Sequence, residues 1–370
     1  MAIEVQGLLT SAGLVTRGQA ASAAAPAEAE LIPAASVLTP IADQALKALL
    51  AEAAPPAAAQ ALASLAQAAA RQGSLTPLMA DLAQAAQAGA LPAPVQAAAE
   101  KVLALQLPIE PAPTAAGLRQ AQAQSGLTLE ASLLPEAVAS APLPTPGLPP
   151  ADLKAALLVL RQVLGAWLPE DPAPSPPPAS RTPSPPYRGG PTSAQHPVAP
   201  SLPPQADPQA VGLRLLHETG AALARQQLLQ LASMPDAPQQ AAAATNIQRP
   251  HWTFEIPFAT PQGAAVAQFE IERDGGGGPN QAERTPIWRA RFSLDMEPLG
   301  PVHAEIALMG ERAGVSLWAE RPDSLALLNE QRGELAQALR EADFTPEVAL
   351  HAGAPHRPAP PAGRFVDQAT

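Results

Sequence analysis

Cysteine is absent from this chain of 370 residues, which excludes disulfide bonds, thiolate nucleophiles and metal sites built from thiolates. Aromatic residues make up only 3% of the sequence and charged residues only 15%. No run of about 18 uncharged apolar residues occurs, so the sequence predicts no membrane-spanning helix. The first residues carry no basic group before Arg17 and no cleavage site of small residues, which is not the pattern of a conventional secretory signal.

Proline and alanine dominate the composition instead. There are 47 prolines, about 13% of the chain against a background of about 5%. Much of the hydrophobic content is alanine, which buries little area, and burial stabilises by roughly 25 cal/mol per Å². We therefore expect weak cores in the N-terminal half and no single core through the whole chain. Three of the four tryptophans lie after residue 250, which indicates that the best-packed domain is C-terminal.

Changes of composition divide the chain into six segments. In order they are an Ala/Pro-rich, loosely helical and partly disordered part over 1–170, a Pro-rich linker over 171–208, an amphipathic helix over 209–234, a second linker over 235–250, a folded domain over 251–353 and a disordered tail over 354–370. The first linker holds 14 prolines, so we expect it to be extended and semi-rigid.

Three helices are predicted before residue 250. Thr76 followed by Pro77 is typical of a capped helix start, and this helix runs to Ala88. A second helix, over 150–168, carries an apolar stripe of Leu153, Leu157, Leu160, Leu164 and Leu168. The third, over 209–234, sets Leu213, Leu216, Leu223, Leu228 and Leu231 among basic and polar residues. Whether these helices pack together stays open at this point.

Strict alternation of apolar and polar residues over 287–320 predicts three antiparallel strands. The first two are joined by a turn at Glu297–Pro301, which holds two prolines and a glycine, and the last two by a loop at Gly310–Gly314. A helix with Leu325, Leu328, Leu335 and Leu339 on one side follows, and then a short strand over 348–351. An aromatic hairpin over 252–272 extends the sheet. The prediction for 251–353 is an α+β domain, mainly an antiparallel sheet with one packed helix.

The segment Leu294–Ala304 resembles the Leu-x-Pro-x-x-Leu-Gly-x-Val-x-Val signature of the C-terminal domain of flagellar hook-length control proteins. Met296 stands where the family usually has proline, and Ala304 where it usually has valine; both keep an apolar side chain on the same face. The order of strand, leucine-spaced helix and last strand also follows the family, so the resemblance covers about residues 287–351. The long proline- and alanine-rich N-terminal part is similar to the family's plan.

This resemblance implies an exported ruler and substrate-specificity switch of the flagellar type III export apparatus. The N-terminal part would then hold the export signal and sense hook length. The C-terminal domain would contact the cytoplasmic domain of the export-gate switch protein, with hook and hook-cap proteins as further candidate partners. The protein would be cytoplasmic and then exported. A different class stays open: a non-flagellar scaffold or adaptor whose folded domain binds another partner.

The candidate contact residues lie in two places. Pro298, Leu299, Gly300, Pro301 and Val302 form the turn of the signature, which either contacts the partner or only aligns two strands. Arg364, Phe365 and Val366 form an isolated cationic and apolar cluster in the tail, which is either a docking segment or a chance cluster.

Other patterns have plainer interpretations than chemistry. The four glycines at 275–278 lack the Gly-Lys-Ser/Thr of a phosphate loop, and His217-Glu218 lacks the second histidine of a zinc-protease motif. His217 and Glu218 are therefore expected on the polar edge of a helix, and His303 on a solvated strand face. We predict no enzyme activity, no cofactor and no metal. Residues 251–353 hold eight arginines, no lysine and sixteen Asp and Glu, a net charge of −8, so nucleic acid and anionic membranes are not expected partners.

Overall fold

A computed structural model of the chain describes residues 56–89, 91–129, 151–168, 183–203, 205–234, 250–274 and 285–356. Contacts divide the chain into two units, residues 1–59 and 60–370. The described residues of the first unit are only the opening of one helix. The second unit holds the α+β fold predicted from the alternation of the strands, with a larger helical part than expected.

Six helices precede strand β2 in the described part of the chain. They are α1 (Pro56–Arg71), α2 (Leu75–Ala88), α3 (Ala93–Leu103), α4 (Ala115–Ala123), α5 (Leu153–Trp167) and α6 (Pro208–Ser233). Helix α2 begins one residue before Thr76, because Ser74 caps it by accepting a hydrogen bond from the Thr76 N–H. The prediction of Thr76 as the cap was wrong, although Pro77 is tolerated because the first-turn N–H groups have no helical partner.

The helices pack around leucines rather than alanines alone. All five leucines of the stripe predicted for α5 are buried: Leu153, Leu157, Leu160, Leu164 and Leu168. The first four of them join buried residues of α2, α3 and α6 and two residues of the sheet, Ala264 and Val266, in one cluster. These described helices therefore share one buried cluster that is rich in leucine. A helix stripe of leucines buries enough area to hold a bundle even when its neighbours are alanine.

Helix α6 is not amphipathic in the way its leucines suggest. Leu231, expected on the apolar side, is 41% exposed, whereas the polar residues Glu218, Thr219 and Arg225 are buried. The reason is that α6 contacts α2 and α5 as well as a strand of the sheet, so several of its sides are covered. Its polar residues are buried because partners on other elements satisfy them, which a single helix's periodicity does not encode.

The sheet has seven strands whose spatial order equals their order along the chain. They are β1 (Leu107–Pro108), β2 (His251–Thr260), β3 (Gly263–Asp274), β4 (Ile287–Met296), β5 (Gly300–Met309), β6 (Arg312–Ala319) and β7 (Thr345–Ala352). Strands β2 to β6 form an antiparallel meander, while β1 and β7 add in parallel at the two edges. Helix α7 (Pro322–Glu341) connects β6 to β7 and packs against both.

Two details of the sheet differ from the sequence prediction. The loop predicted over Gly310–Gly314 is only two residues long, because Met309 pairs with Arg312 and Ala313 and Gly314 belong to β6. The other difference is β1, a two-residue strand that the proline-rich surroundings of Leu107 and Pro108 did not suggest. It brings the N-terminal half into the sheet through Phe258 and Ala259 of β2.

The two faces of the sheet are covered differently at β2 and β3. Phe254, Ile256, Phe258 and Ala267 on the apolar face pack with α4 and β1. The opposite face carries polar residues and is covered by α2, α6 and residues 183–203, which we call the strap. The strap lies within the predicted linker, and its described residues are bonded to both helices and strands.

Candidate functional site

The turn between β4 and β5 is the candidate functional site. Met296 pairs with Gly300, so three residues, Glu297, Pro298 and Leu299, make the connection. The Glu297–Pro298 peptide bond is cis. Pro298 is exposed and Leu299 is half-buried, so the tip of the turn presents one apolar ring to solvent beside a partly covered leucine.

The start of helix α7 holds this turn from one side. The guanidinium of Arg321 donates to both carboxylate oxygens of Glu297, at 2.6 and 2.8 Å, and to the Pro298 carbonyl at 2.9 Å. The Ser324 hydroxyl donates to the Leu299 carbonyl at 2.5 Å. A bidentate arginine–carboxylate pair fixes orientation as well as distance. The turn and the first turn of α7 are therefore one bonded unit.

Gly300 is required by the same arrangement. Its φ of +66° lies in the left-handed region, which side chains with a Cβ rarely adopt. A Cβ at this position would also lie 2.7 Å from Nε and 2.8 Å from Cδ of Arg321. Glycine therefore permits both the backbone turn and the approach of the arginine that holds it.

The two carboxyl groups near the turn, Glu297 and Asp295, have pKa values shifted in opposite directions. The hydrogen bonds from Arg321 lower the pKa of Glu297, and those to Glu297 raise the pKa of Arg321. Two residues before Glu297, in β4, burial raises the pKa of Asp295, whose carboxylate lies 3.6 Å from Nδ1 of His196 of the strap. The turn thus combines the exposed ion pair of Glu297 and Arg321 with the half-buried carboxylate of Asp295 beside it.

A hydrogen-bonded chain runs across β4, β5 and the end of β6 below the turn. Ser293 Oγ lies 2.7 Å from His303 Nδ1, and His303 Nε2 lies 3.0 Å from Glu320 Oε1. The prediction of His303 as a solvated surface residue was wrong, because its side chain is only 12% exposed and both ring nitrogens have partners. The types Ser, His and Glu also occur in hydrolytic triads, yet Ser293 is fully buried and donates to the Thr192 carbonyl at 3.0 Å. No substrate reaches that hydroxyl in this arrangement.

The structure places the predicted contact residues as follows. Pro298, Leu299, Gly300, Pro301 and Val302 come together in the turn and the first residues of β5, with Gly300 buried and Pro301 and Val302 half-buried. Arg364, Phe365 and Val366 lie outside the described residues. The sequence reasoning missed Arg321 and Ser324, which hold the turn. The segment Arg321-Pro322-Asp323-Ser324 was taken only as the start of a helix, and nothing local signals a bond to residues 24 or 25 positions earlier.

A second polar cluster lies between α2, α6 and the strap. Arg214 Nε donates to Asp81 at 2.9 Å and to Glu218 at 3.2 Å, and Ser201 donates to Asp81 through both its N–H and its hydroxyl. Burial, with the nearby Asp81, raises the pKa of Glu218 to about 8. Glu218 is therefore not on an exposed polar edge as predicted, whereas His217 is exposed.

A cavity of about 810 Å³ adjoins that cluster. Its lining includes Arg71, Arg161, His217 and Glu218. Across the described residues, no group of three or more His, Asp and Glu side chains is arranged to hold a metal ion. None of the described helices is long and apolar enough to cross a membrane.

Fold and site together define an α+β protein in which the β4–β5 turn of an antiparallel meander is bonded to the start of helix α7. Residues 276–358 match the family described as flagellar hook-length control protein FliK, which confirms the resemblance of the C-terminal segment. The match begins within the undescribed residues before β4 and includes the turn, α7 and β7. Comparison with curated proteins and with solved structures gives no match.

Proposed function

We propose that this protein controls the length of the flagellar hook, as an exported ruler and substrate-specificity switch of the flagellar type III export apparatus. The observation that carries the proposal is the match of residues 276–358 to the hook-length control family, a segment that includes the turn bonded to the start of helix α7. The matched family is a non-catalytic flagellar regulatory family. The protein acts by contact with another protein, starts in the cytoplasm and leaves through the export apparatus.

The partner in this proposal is the cytoplasmic domain of the export-gate switch protein. The turn suits a contact because its backbone is fixed before binding, so little conformational entropy is lost when a partner packs on Pro298 and Leu299. The turn lies at one end of β4 and β5, and its Pro298 ring is exposed. Hook and hook-cap proteins are further partners of the N-terminal part.

Deletion of the gene followed by electron microscopy of the hooks tests the proposal as a whole. The expected result is hooks of uncontrolled length that lack filaments. Hooks of normal, narrow length distribution with normal filaments would reject the flagellar function and favour a scaffold or adaptor outside the flagellum.

Two single substitutions test the turn itself. Leu299→Asp places a charge on the half-buried tip, while Met309→Asp places the same charge on a 40% exposed residue at the opposite end of β5. We expect loss of filament assembly with Leu299→Asp only. Thermal unfolding of both purified variants separates contact from folding. If Leu299→Asp loses both filament assembly and thermal stability, the role of the turn is purely structural, namely to align β4 and β5.

A further inference from the structure

Strand β7 is the last strand of the sheet, and its outer edge is open. It pairs in parallel with β6 on one side, and among the described residues no strand or isolated bridge pairs with it on the other. The opposite edge of the sheet is covered instead. There β1 pairs with the end of β2, and the Ser233 hydroxyl at the end of α6 accepts from the Thr253 N–H at 2.8 Å. A row of unpaired N–H and C=O groups is a template on which another strand can pair.

Hydrogen bonds at the two ends of β7 show which of its backbone groups face outward. At the start of the strand the Thr345 N–H donates to the Glu311 carbonyl at 2.7 Å. Just past its end the Gly353 N–H donates to the Ala319 carbonyl at 2.8 Å. The register with β6 is unbroken between these ends, so the direction of the backbone groups alternates residue by residue. The odd-numbered residues therefore bond to β6, and the backbone groups of the even-numbered ones point away from the sheet: Pro346, Val348, Leu350 and Ala352.

The sequence protects only the start of this edge. Pro346 has no N–H to offer, and Glu347 is exposed and charged; proline and charge are two features that discourage pairing at an edge. Residues 348–352, Val-Ala-Leu-His-Ala, hold neither proline nor lysine. His351 and Ala352 are exposed. The edge is therefore accessible and able to pair over most of its length.

The side chains of β7 are complementary to a second copy of the same strand. When two β7 strands run antiparallel with Ala349 opposite its own copy, Glu347 lies opposite His351. Val348 then lies opposite Leu350, and both belong to the face of the sheet that also carries apolar residues of β6. Each pair occurs twice because of the twofold symmetry. A shift of the register by two residues in either direction takes His351 away from Glu347 and loses both pairs of that kind.

The outward backbone groups fit the same register. Because Val348 and Leu350 both face outward, they exchange both backbone hydrogen bonds across the axis. The Ala352 N–H reaches the Pro346 carbonyl of the other copy, and only the return bond is missing because proline has no N–H. The two strands thus form about six backbone hydrogen bonds.

We propose that this protein forms a twofold-symmetric dimer by antiparallel pairing of β7 with β7 of a second copy, centred on Ala349. The pairing continues the sheet of one copy into that of the other. A second copy is the occupant because β7 supplies the complement of its own edge, in charge and in hydrogen-bonding groups. This dimer depends on the geometry of β7 and not on the flagellar function.

Sedimentation velocity of the full-length protein over a range of concentrations measures the dimer. Glu347→Lys turns two attractive contacts with His351 into unfavourable ones, so the dissociation constant should rise about tenfold. Glu100→Lys makes the same charge change on an exposed residue of α3 and should leave the dissociation constant unchanged. Exchanging the charges in Glu347→Lys/His351→Glu should restore dimer formation, which would not happen if Glu347→Lys acted by unfolding the strand.

Two results of this experiment would overturn the proposal. One is a wild-type protein that sediments as a monomer at every concentration, in which case the open edge would suit an extended segment of another protein. The other is a dimer that Glu347→Lys and Glu100→Lys affect equally, which would place the contact on a different surface.

A single cysteine tests the register, because the chain has none of its own. Ala349→Cys places a sulfur on each side of the twofold axis, in a pair whose Cα atoms are about 4.5 Å apart and within reach of a disulfide. Thr345→Cys, in the same strand, is the control. Thr345 lies opposite Gly353, so its two copies are roughly 27 Å apart at about 3.4 Å per residue.

Mild oxidation should give a disulfide-linked dimer with Ala349→Cys only, seen by non-reducing electrophoresis. Equal linkage of Ala349→Cys and Thr345→Cys, or linkage of neither, would overturn the pairing centred on Ala349. None of these measurements depends on flagellar assembly, so a failed flagellar function and a failed dimer remain distinguishable.

Discussion

The ion pair between Arg225 of α6 and Glu255 of β2 is expected to be a main link between the helices and the sheet. Both side chains are 1% exposed, and Arg225 Nε donates to Glu255 at 2.6 Å. Arg225 Nη1 also donates to Gln72 at 2.7 Å, which ties in the segment before α2. Replacing the arginine with methionine, Arg225→Met, keeps much of the apolar stem and removes the charge.

The loss should be large because it leaves a buried carboxylate with one remaining donor. After the substitution Glu255 keeps only the hydrogen bond from Gln195, at 2.9 Å. Breaking one side of a buried ion pair costs about 3–5 kcal/mol, which is a large share of a typical folding free energy of about 5–15 kcal/mol. In Arg225→Met/Glu255→Gln no unpaired charge remains, so we expect a smaller loss of about 1–2 kcal/mol.

Urea unfolding measured by circular dichroism and by tryptophan fluorescence checks these values. Circular dichroism is dominated by the helices, while three of the four tryptophans, Trp252, Trp288 and Trp318, lie in the sheet and the fourth, Trp167, ends α5. Because the pair joins both parts, both midpoints should fall together in Arg225→Met. Arg289→Met is the control, since Arg289 is 39% exposed and its nearest carboxylate oxygen is 3.7 Å away; it should cost less than about 1 kcal/mol. A loss in Arg225→Met no larger than in the control, or equal to that of the double variant, would refute the reasoning.

Three further substitutions should change the stability, Glu218→Gln and Gly333→Ala upward and Gly300→Ala downward. In Glu218→Gln the gain in folding stability should depend on pH. The pKa of Glu218 in the folded wild type is about 8, above the ordinary 4.5. The folded wild type therefore binds more protons than the unfolded chain between these pH values, and it loses stability as the pH rises from 4.5 to 8. The variant should gain up to roughly 4 kcal/mol over the wild type at pH 8 and above and nothing below pH 4.5, measured by urea unfolding at several pH values; a gain independent of pH would contradict this. Gly300→Ala should destabilise by about 1–3 kcal/mol through its positive φ and the contact with Arg321, whereas Gly333→Ala, inside α7 with open space around its Cα, should stabilise by about 0.5–1 kcal/mol. Thermal unfolding measures the stability of both glycine variants. Equal effects of Gly300→Ala and Gly333→Ala would show that the turn tolerates a Cβ at position 300.

The strands illustrate how far the sequence alone reaches. Alternation over 252–272 and 287–320 assigns each side chain to one face of the sheet, and the structure has those strands within a few residues of the predicted bounds. The leucine stripe of α5 is likewise buried as its period indicates. Both patterns are local, because the period of a strand or helix fixes which residues share a face before any partner is known.

The signature turn was found for a related reason. Two prolines and a glycine in five residues restrict the backbone strongly enough to show in the sequence. What holds that turn was not visible. Arg321 and Ser324 are separated from it by strands β5 and β6, and their bonds exist only because the meander returns the start of α7 to the same end of the sheet.

The sequence by itself therefore determined the periodic parts of this protein: the strands of the meander, the stripe of α5, the leucines of α7 and the turn at Glu297–Pro301. The tertiary structure alone decided which polar residues are buried and what they bind. Arg225 and Gln195 are surface types by composition, and each is buried because donors or acceptors from distant segments meet it. Periodicity is a property of one segment, whereas satisfying a buried polar group requires a partner whose position depends on the whole chain.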